Sequence, residues 1–330
     1  MPLRPSPAVD VHLTPDDLHD QLASDARIGF TAAEKWIPAT WFYDEAGCEL
    51  FDRITELDEY YPTRAERSIL AANADEIARL AKPHTVVELG SGTSEKTTLL
   101  LDAFRRAGTL RRFVPFDVSE STLVDAMERL GSRYAIEFHG VVGDFRRHLA
   151  ELFELTERDA PRLVVFLGGT IGNLNRTERH AFYTEVAAHL HADDRVLIGT
   201  DLVKERARLV AAYDDTSGVT AAFNRNVLAV LNQRLGADFD PDRFEHRACF
   251  HEEHERIEMR LRSTDAHHVW IEALDLAVFF SEGEEILTEI SCKFTPDRVA
   301  EELEAAGFSL EGMWTDLDGD FQVSLGRPAR

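Results

Sequence analysis

A chain of 330 residues that is 44% hydrophobic and 29% charged can bury one large or two modest cores and has the composition of an ordinary soluble globular protein. A formal net charge of −24 would repel nucleic acid and anionic lipid, so neither is expected as a partner and a small-molecule substrate fits better. Cys48, Cys249 and Cys292 lie far apart with no C-x-x-C pair, which argues against disulfides and structural zinc and for a reducing compartment.

Residues 1–15 read as a flexible lead. Residues 1–10 contain prolines and no apolar core of signal-peptide length, and no stretch approaches a membrane span, so a cytoplasmic location is expected. Thr14-Pro-Asp-Asp marks a helix start. Two aromatic clusters follow, Trp36-Ile-Pro-Ala-Thr-Trp-Phe-Tyr-Asp44 and Tyr60-Tyr-Pro-Thr-Arg64, and their crowding outside any apolar run points to a cover over a site. A periodic helix over 64–80 then leads into the most informative stretch of the chain.

That stretch is Val86-Val-Glu-Leu-Gly-Ser-Gly-Thr-Ser-Glu-Lys-Thr97, an apolar run broken by two glycines and followed by a helical pattern over 96–105. It reads as strand, tight turn, helix. Glycines let the backbone approach a ligand, and the helix start presents free N–H groups. A Walker loop and a dinucleotide fingerprint both need glycine where Glu95 stands, so phosphate is disfavoured. Carboxylates at Glu88 and Glu95 suit a cationic sulfonium with its amino acid tail. The segment resembles motif I of class I S-adenosylmethionine (SAM) methyltransferases.

From there strands at 86–89, 112–117, 136–142, 162–167 and 195–201 alternate with helices, which implies a parallel sheet covered on both faces. Asp117 closes the second strand, where an acidic residue accepts hydrogen bonds from ribose hydroxyls. Asp144 and Phe145 end the third and suit an adenine ring. The fourth ends in a glycine-rich turn with Asn173, whose amide both donates and accepts.

Residues 201–262 break the alternation and read as an insertion. Cys249, His251 and His254 lack the spacing of a zinc motif, and no metal is expected. Segments 256–262 and 268–272 alternate like paired strands, and a further strand puts Glu289, Ser291 and Lys293 on one face. A last helix from Thr295 and a hairpin with a two-residue Asp318-Gly319 turn complete the chain.

Trp41-Phe-Tyr-Asp44, Glu59-Tyr-Tyr-Pro-Thr-Arg64, the glycine turn, Gly172-Asn-Leu174, Thr200-Asp-Leu-Val-Lys204, Ala222-Phe-Asn-Arg-Asn226 and Thr288-Glu-Ile-Ser-Cys-Lys-Phe294 occur in one order. Together they resemble the histidine-specific Nα-methyltransferases of ergothioneine biosynthesis, over nearly the whole chain. The resemblance implies an α/β fold, a class I SAM-dependent methyltransferase (Rossmann-like) domain at 66–200 and 295–330 with an inserted α+β substrate-binding domain at 14–65 and 201–294. It implies trimethylation of L-histidine to hercynine, with SAM as methyl donor and S-adenosyl-L-homocysteine as product. By the match of motifs Gly90, Lys96, Asp117, Asp144 and Phe145 would contact SAM. Tyr60, Asn173, Tyr213, Glu289 and Ser291 would hold histidine, and Tyr43, close to the reacting amine, would join Asn173 as the catalytic pair. A monomer is expected. A relative acting on tryptophan or a modified histidine is the main rival reading, with the Glu289/Ser291 pair, which an indole would not need, as the discriminator; a non-catalytic SAM-binding module is the other, disfavoured because the acceptor-side residues are all present.

Overall fold

The computed structural model describes residues 8–156 and 160–329. They divide into two compact units. The first holds the described residues up to Thr14, Arg64–Leu202 and the described residues from Phe294 onward; the second holds Pro15–Thr63 and Val203–Lys293.

The first unit is built on an eight-stranded sheet. Five parallel strands stand in the order Glu137–Val142, Arg112–Asp117, Thr85–Leu89, Arg162–Phe166, Arg195–Asp201, followed by Phe321–Pro328 and Phe308–Thr315. Phe321–Pro328 runs antiparallel to Arg195–Asp201. Every residue of Thr85–Leu89 and of Arg162–Phe166 is buried, as continuous apolar runs in a sheet covered on both faces require. This is the Rossmann-like α/β arrangement expected from the alternation of strands and helices. At the start of the strand Arg162–Phe166, Arg162 forms a buried ion pair with Asp194, whose Oδ2 accepts from Nε at 3.1 Å and Nη2 at 2.6 Å.

Two expectations fail in this unit. Ala8–Val11 is no flexible lead: it forms an edge strand parallel to Glu137–Val142. Val9 packs on the core, and the Asp10 carboxylate lies 2.6 Å from His139 Nε2. Residues 1–7 lie outside the described residues. The terminal hairpin is real, but its loop runs over 316–320 rather than two residues, because Asp316 organises it by accepting from Phe321 N–H at 2.7 Å and Asp318 N–H at 3.2 Å.

In the second unit a four-stranded sheet, ordered Lys35–Trp36, Glu285–Cys292, Arg256–Ser263, Phe244–His251, packs with the helices Pro15–Thr31, Glu45–Glu56 and Val219–Leu235 around a core of its own. The expected pairing of 256–262 with 268–272 does not form. Arg256–Ser263 lies between Phe244–His251 and Glu285–Cys292, while His267–Ile271 pairs with Leu276–Phe280 in a separate ribbon. Strand alternation states that a segment has two faces; it does not name the partner. A register shift between Leu287 and Glu289 makes Thr288 the bulged residue, and beyond it Glu289 and Ser291 share a face.

Candidate active site

In the first unit the loops after four adjacent parallel strands lie at the same carboxyl edge of the sheet, where ligands bind in open α/β sheets. Gly90 and Gly92 turn the chain with φ of +61° and +47°, and a Cβ built on either meets nothing within 4 Å. The turn therefore leaves open space where side chains would stand at both positions. Asp117 holds it from the next strand, its Oδ2 accepting from Gly92 N–H at 2.9 Å and its Oδ1 from Ser119 N–H at 3.1 Å. Burial raises the Asp117 pKa and these N–H donors oppose the rise. Capping of the Glu120–Arg133 helix falls to Ser119, not Asp117.

Glu88 and Glu95, grouped by the sequence reading, separate. Glu88 is buried and accepts from Ser94 Oγ at 2.7 Å and from Thr97 Oγ1, which fixes the turn; burial pushes its pKa up to about 7. Glu95 faces outward and pairs with Arg67 at 3.2 Å. Lys96 turns inward onto Glu66, a fully buried carboxylate that also accepts from Gly168 N–H at 2.8 and 3.0 Å. Glu66 escaped the sequence reading. Its signal is its place on the apolar stripe Ala65, Ile69, Leu70 of the Pro62–Ala81 helix, where a carboxylate needs a partner.

Asp144 is buried and its Oδ1 accepts from Arg146 N–H at 2.8 Å. Phe145 is half-buried, edge-on to Phe166 and Phe182 with ring centroids 5.1 and 5.8 Å away. Gly168 and Gly169 both adopt left-handed φ, +82° and +70°, which lets the chain enter the short 3₁₀ helix Thr170–Asn173. Asn173 ends that helix, half-buried. The next helix is capped by Asn175 through a capping box.

In the second unit Tyr213, Ser291 and Lys293 form one hydrogen-bonded set. Tyr213 Oη and Ser291 Oγ lie 2.8 Å apart, and Lys293 Nζ donates to Tyr213 Oη at 2.9 Å and to Ser291 Oγ at 2.8 Å. The ring of Tyr60 meets that of Tyr213 edge-on at 6.3 Å, Phe51 meets Tyr60 at 6.2 Å, and Tyr43 meets Phe51 and Phe223 at 5.6 Å each. Tyr43 is 40% exposed, so an aromatic wall runs from solvent to the buried polar cluster. His246 fixes the base of Tyr213, its Nε2 lying 2.8 Å from the Tyr213 carbonyl oxygen. Glu289 is half-buried and stands across from the buried Met259 in strand register. The rings of His251 and His254 stack on each other 4.5 Å apart.

Comparison with known proteins places the chain. The family described as "Histidine-specific methyltransferase, SAM-dependent" matches residues 22–328. The chain is 53% identical to "Histidine N-alpha-methyltransferase" of Mycolicibacterium smegmatis, over 95% of this chain and 97% of that one. To the protein of the same name from Mycobacterium tuberculosis it is 52% identical, with the same coverage. "Ergothioneine biosynthesis protein 1" of Schizosaccharomyces pombe is 34% identical over 66% of this chain, which spans 29% of that longer protein. With a family match over nearly its whole length, this chain belongs to the histidine-specific, SAM-dependent methyltransferases.

Proposed function

We propose that this enzyme trimethylates the α-amino group of L-histidine to hercynine, the first step of ergothioneine biosynthesis, consuming three SAM molecules and releasing S-adenosyl-L-homocysteine. The observation that carries this reading is the near full-length identity to proteins named for histidine Nα-methylation. It is supported by the acceptor-side polar cluster of Tyr213 and Ser291 at the end of an aromatic wall. The open turn at Gly90 and Gly92, with Asp117 beside it, fits SAM: the glycines leave room for the amino acid tail and the carboxylate suits ribose hydroxyls. Lys96, Asp144 and Phe145 complete the proposed cofactor contacts.

SAM supplies an electrophilic methyl group on its sulfonium. What the protein must do is hold the amine lone pair in line with it at near-attack distance. In our reading Asn173 and Tyr213 fix the carboxylate of histidine, Glu289 and Ser291 pair with its two ring nitrogens, and Tyr60 flanks it. No strong base is needed, since a protein α-amino group titrates at roughly 8 and that of a free amino acid somewhat higher, so a minority of the substrate is neutral near pH 7. Tyr43 or solvent takes the proton at each round, and the faces of Tyr43 and Tyr60 accommodate the growing cation. We propose that the enzyme acts in the cytoplasm as a monomer; no helix among the described residues is long and apolar enough to cross a membrane.

Incubation with SAM and each amino acid in turn, read by mass spectrometry, tests the reading. Histidine alone should gain three methyl groups. Accumulation of a monomethylated product, or preferential methylation of tryptophan, would overturn it.

A further inference from the structure

The stretch Ala222-Phe-Asn-Arg-Asn226 lies in the first turns of the helix Val219–Leu235, and its Asn224 is fully buried there. Asn224 Nδ2 lies 2.8 Å from His246 Nδ1 and 3.1 Å from the carbonyl oxygen of Arg260. A carbonyl oxygen only accepts, so the amide nitrogen must face it. The same nitrogen has two hydrogens and cannot accept, which makes His246 Nδ1 an acceptor. The imidazole is thereby fixed with its proton on Nε2, which donates to the Tyr213 carbonyl oxygen at 2.8 Å. Burial also holds the His246 pKa below its ordinary value, which keeps the ring neutral. Asn224 Oδ1 meanwhile is buried with no hydrogen-bond partner among the described residues. A buried unmade acceptor is costly, so the two donor contacts hold the amide in this orientation against a penalty.

We propose that His246 and Asn224 are positioning residues for the amino acid substrate: they set where Tyr213 stands. The inference rests on the reading that Tyr213 holds histidine. Tyr213 lies in the connection between the helices Arg206–Ala211 and Val219–Leu235, and His246 ties its carbonyl to the strand Phe244–His251. A phenol ring is rigid, so a small rotation of the backbone at its root is magnified at the hydroxyl, and misplacement of a binding group by about 1 Å is severe. Arg260 follows Met259, the residue across from Glu289, so one amide refers both the Tyr213 backbone and the strand facing Glu289 to the same helix turn. That turn also reaches the aromatic wall: the Phe223 ring meets Tyr43 at 5.6 Å, and Asn226 Nδ2 donates to Oδ1 of the adjacent Asp44 at 2.7 Å. Neither His246 nor Asn224 needs to touch the substrate to act in this way.

The alternative is that His246 only braces the connection against the sheet, in which case any polar replacement that folds serves equally. Counted in bonds from Cβ, a glutamine amide nitrogen stands where Nε2 does and an asparagine amide oxygen where Nδ1 does. His246→Gln therefore keeps a donor for the Tyr213 carbonyl, while His246→Asn keeps only a partner for Asn224. Affinity for L-histidine is measured by calorimetry with S-adenosyl-L-homocysteine saturating, and affinity for S-adenosyl-L-homocysteine alone is measured beside it. His246→Gln should bind histidine within about threefold of wild type and His246→Asn about tenfold more weakly, as loss of one neutral hydrogen bond implies, with cofactor-product affinity unchanged in both. If His246→Asn does not fold, Asn224→Ala, which lets the imidazole turn, takes its place in the comparison with His246→Gln. Equal histidine affinity in the glutamine variant and its comparison variant, or parallel losses for histidine and S-adenosyl-L-homocysteine, overturn the proposal. Tyr213→Phe separates it from the site reading. Weaker histidine binding there keeps Tyr213 in the site whatever the His246 variants show, whereas unchanged binding removes Tyr213 from the site and the proposal with it.

Discussion

The Lys96 ammonium meets the Glu66 carboxylate, and Glu66 in turn accepts from Gly168 N–H. One buried side chain thus ties the glycine turn after Thr85–Leu89 to the left-handed glycines after Arg162–Phe166. Space for it comes from Gly199, where a Cβ would lie 2.1 Å from Glu66 Oε1. Glu66→Ala should therefore destabilise the protein by about 3 kcal/mol, the cost of stranding a mostly buried lysine and a backbone donor. Gly199→Ala should be comparably harmful for the opposite reason, by forcing the carboxylate off its donors. Urea denaturation measures both, and a Glu66→Ala loss below about 1 kcal/mol would show that the tie carries little stability.

Asp117 clasps Gly92 and lies next to the open face of the turn, so it should matter for cofactor affinity more than for folding. Asp117→Ala should weaken SAM binding by about 1.5–3 kcal/mol through loss of charge-assisted hydrogen bonds. Helix Glu120–Arg133 keeps its Ser119 cap, so circular dichroism should be little changed. A folded variant with wild-type SAM affinity by calorimetry would remove Asp117 from the cofactor site.

Glu88 provides a pH signature. Its pKa rises from an ordinary 4.5 to about 7 because burial disfavours the charged form. Between those values the folded protein keeps a proton that the unfolded chain has released, so stability falls as pH rises through that window. Above it the penalty is complete, with a ceiling of about 3 kcal/mol. Glu88→Gln carries no such titration. Its stability relative to wild type should therefore be greater at pH 8.5 than at pH 5, whatever constant cost the lost acceptor oxygen brings. An identical difference at the two pH values would mean that Glu88 titrates normally.

The first unit's sheet was legible because continuous apolar runs alternating with helical patterns leave few alternatives to a parallel, doubly covered sheet. The same reasoning located Asp117 at a strand end and Asp144 and Asn173 in the segments that follow the next two such ends. Partner choice was not legible. Arg256–Ser263 and His267–Ile271 alternate equally well, and only the tertiary structure assigns each to its own sheet. Ala8–Val11 is too short and too near the start for periodicity to register. Glu66 was missed for a related reason: a buried charge is explained by its partners, and those of Glu66 lie 30 and 102 residues away along the chain.

Specificity for the imidazole should reside in Glu289. It shares a face with Ser291 beyond the bulge at Thr288 and stands across from Met259, so its carboxylate and an apolar side chain flank one position on the strand pair. A carboxylate there accepts from a ring N–H, and a site built around such a partner rejects rings that lack it, because the acceptor is left unpaired. Removing the carboxylate removes both effects. Glu289→Ala should lower kcat/KM for histidine by about 2 kcal/mol in transition-state terms, roughly thirtyfold, and should raise or leave unchanged the poor activity on phenylalanine. SAM affinity should stay at the wild-type value. Competition between equal concentrations of histidine and phenylalanine reads the ratio directly, independent of the fraction of active enzyme. If histidine keeps its full advantage in the folded variant, Glu289 does not meet the ring, and the imidazole must be read by other groups.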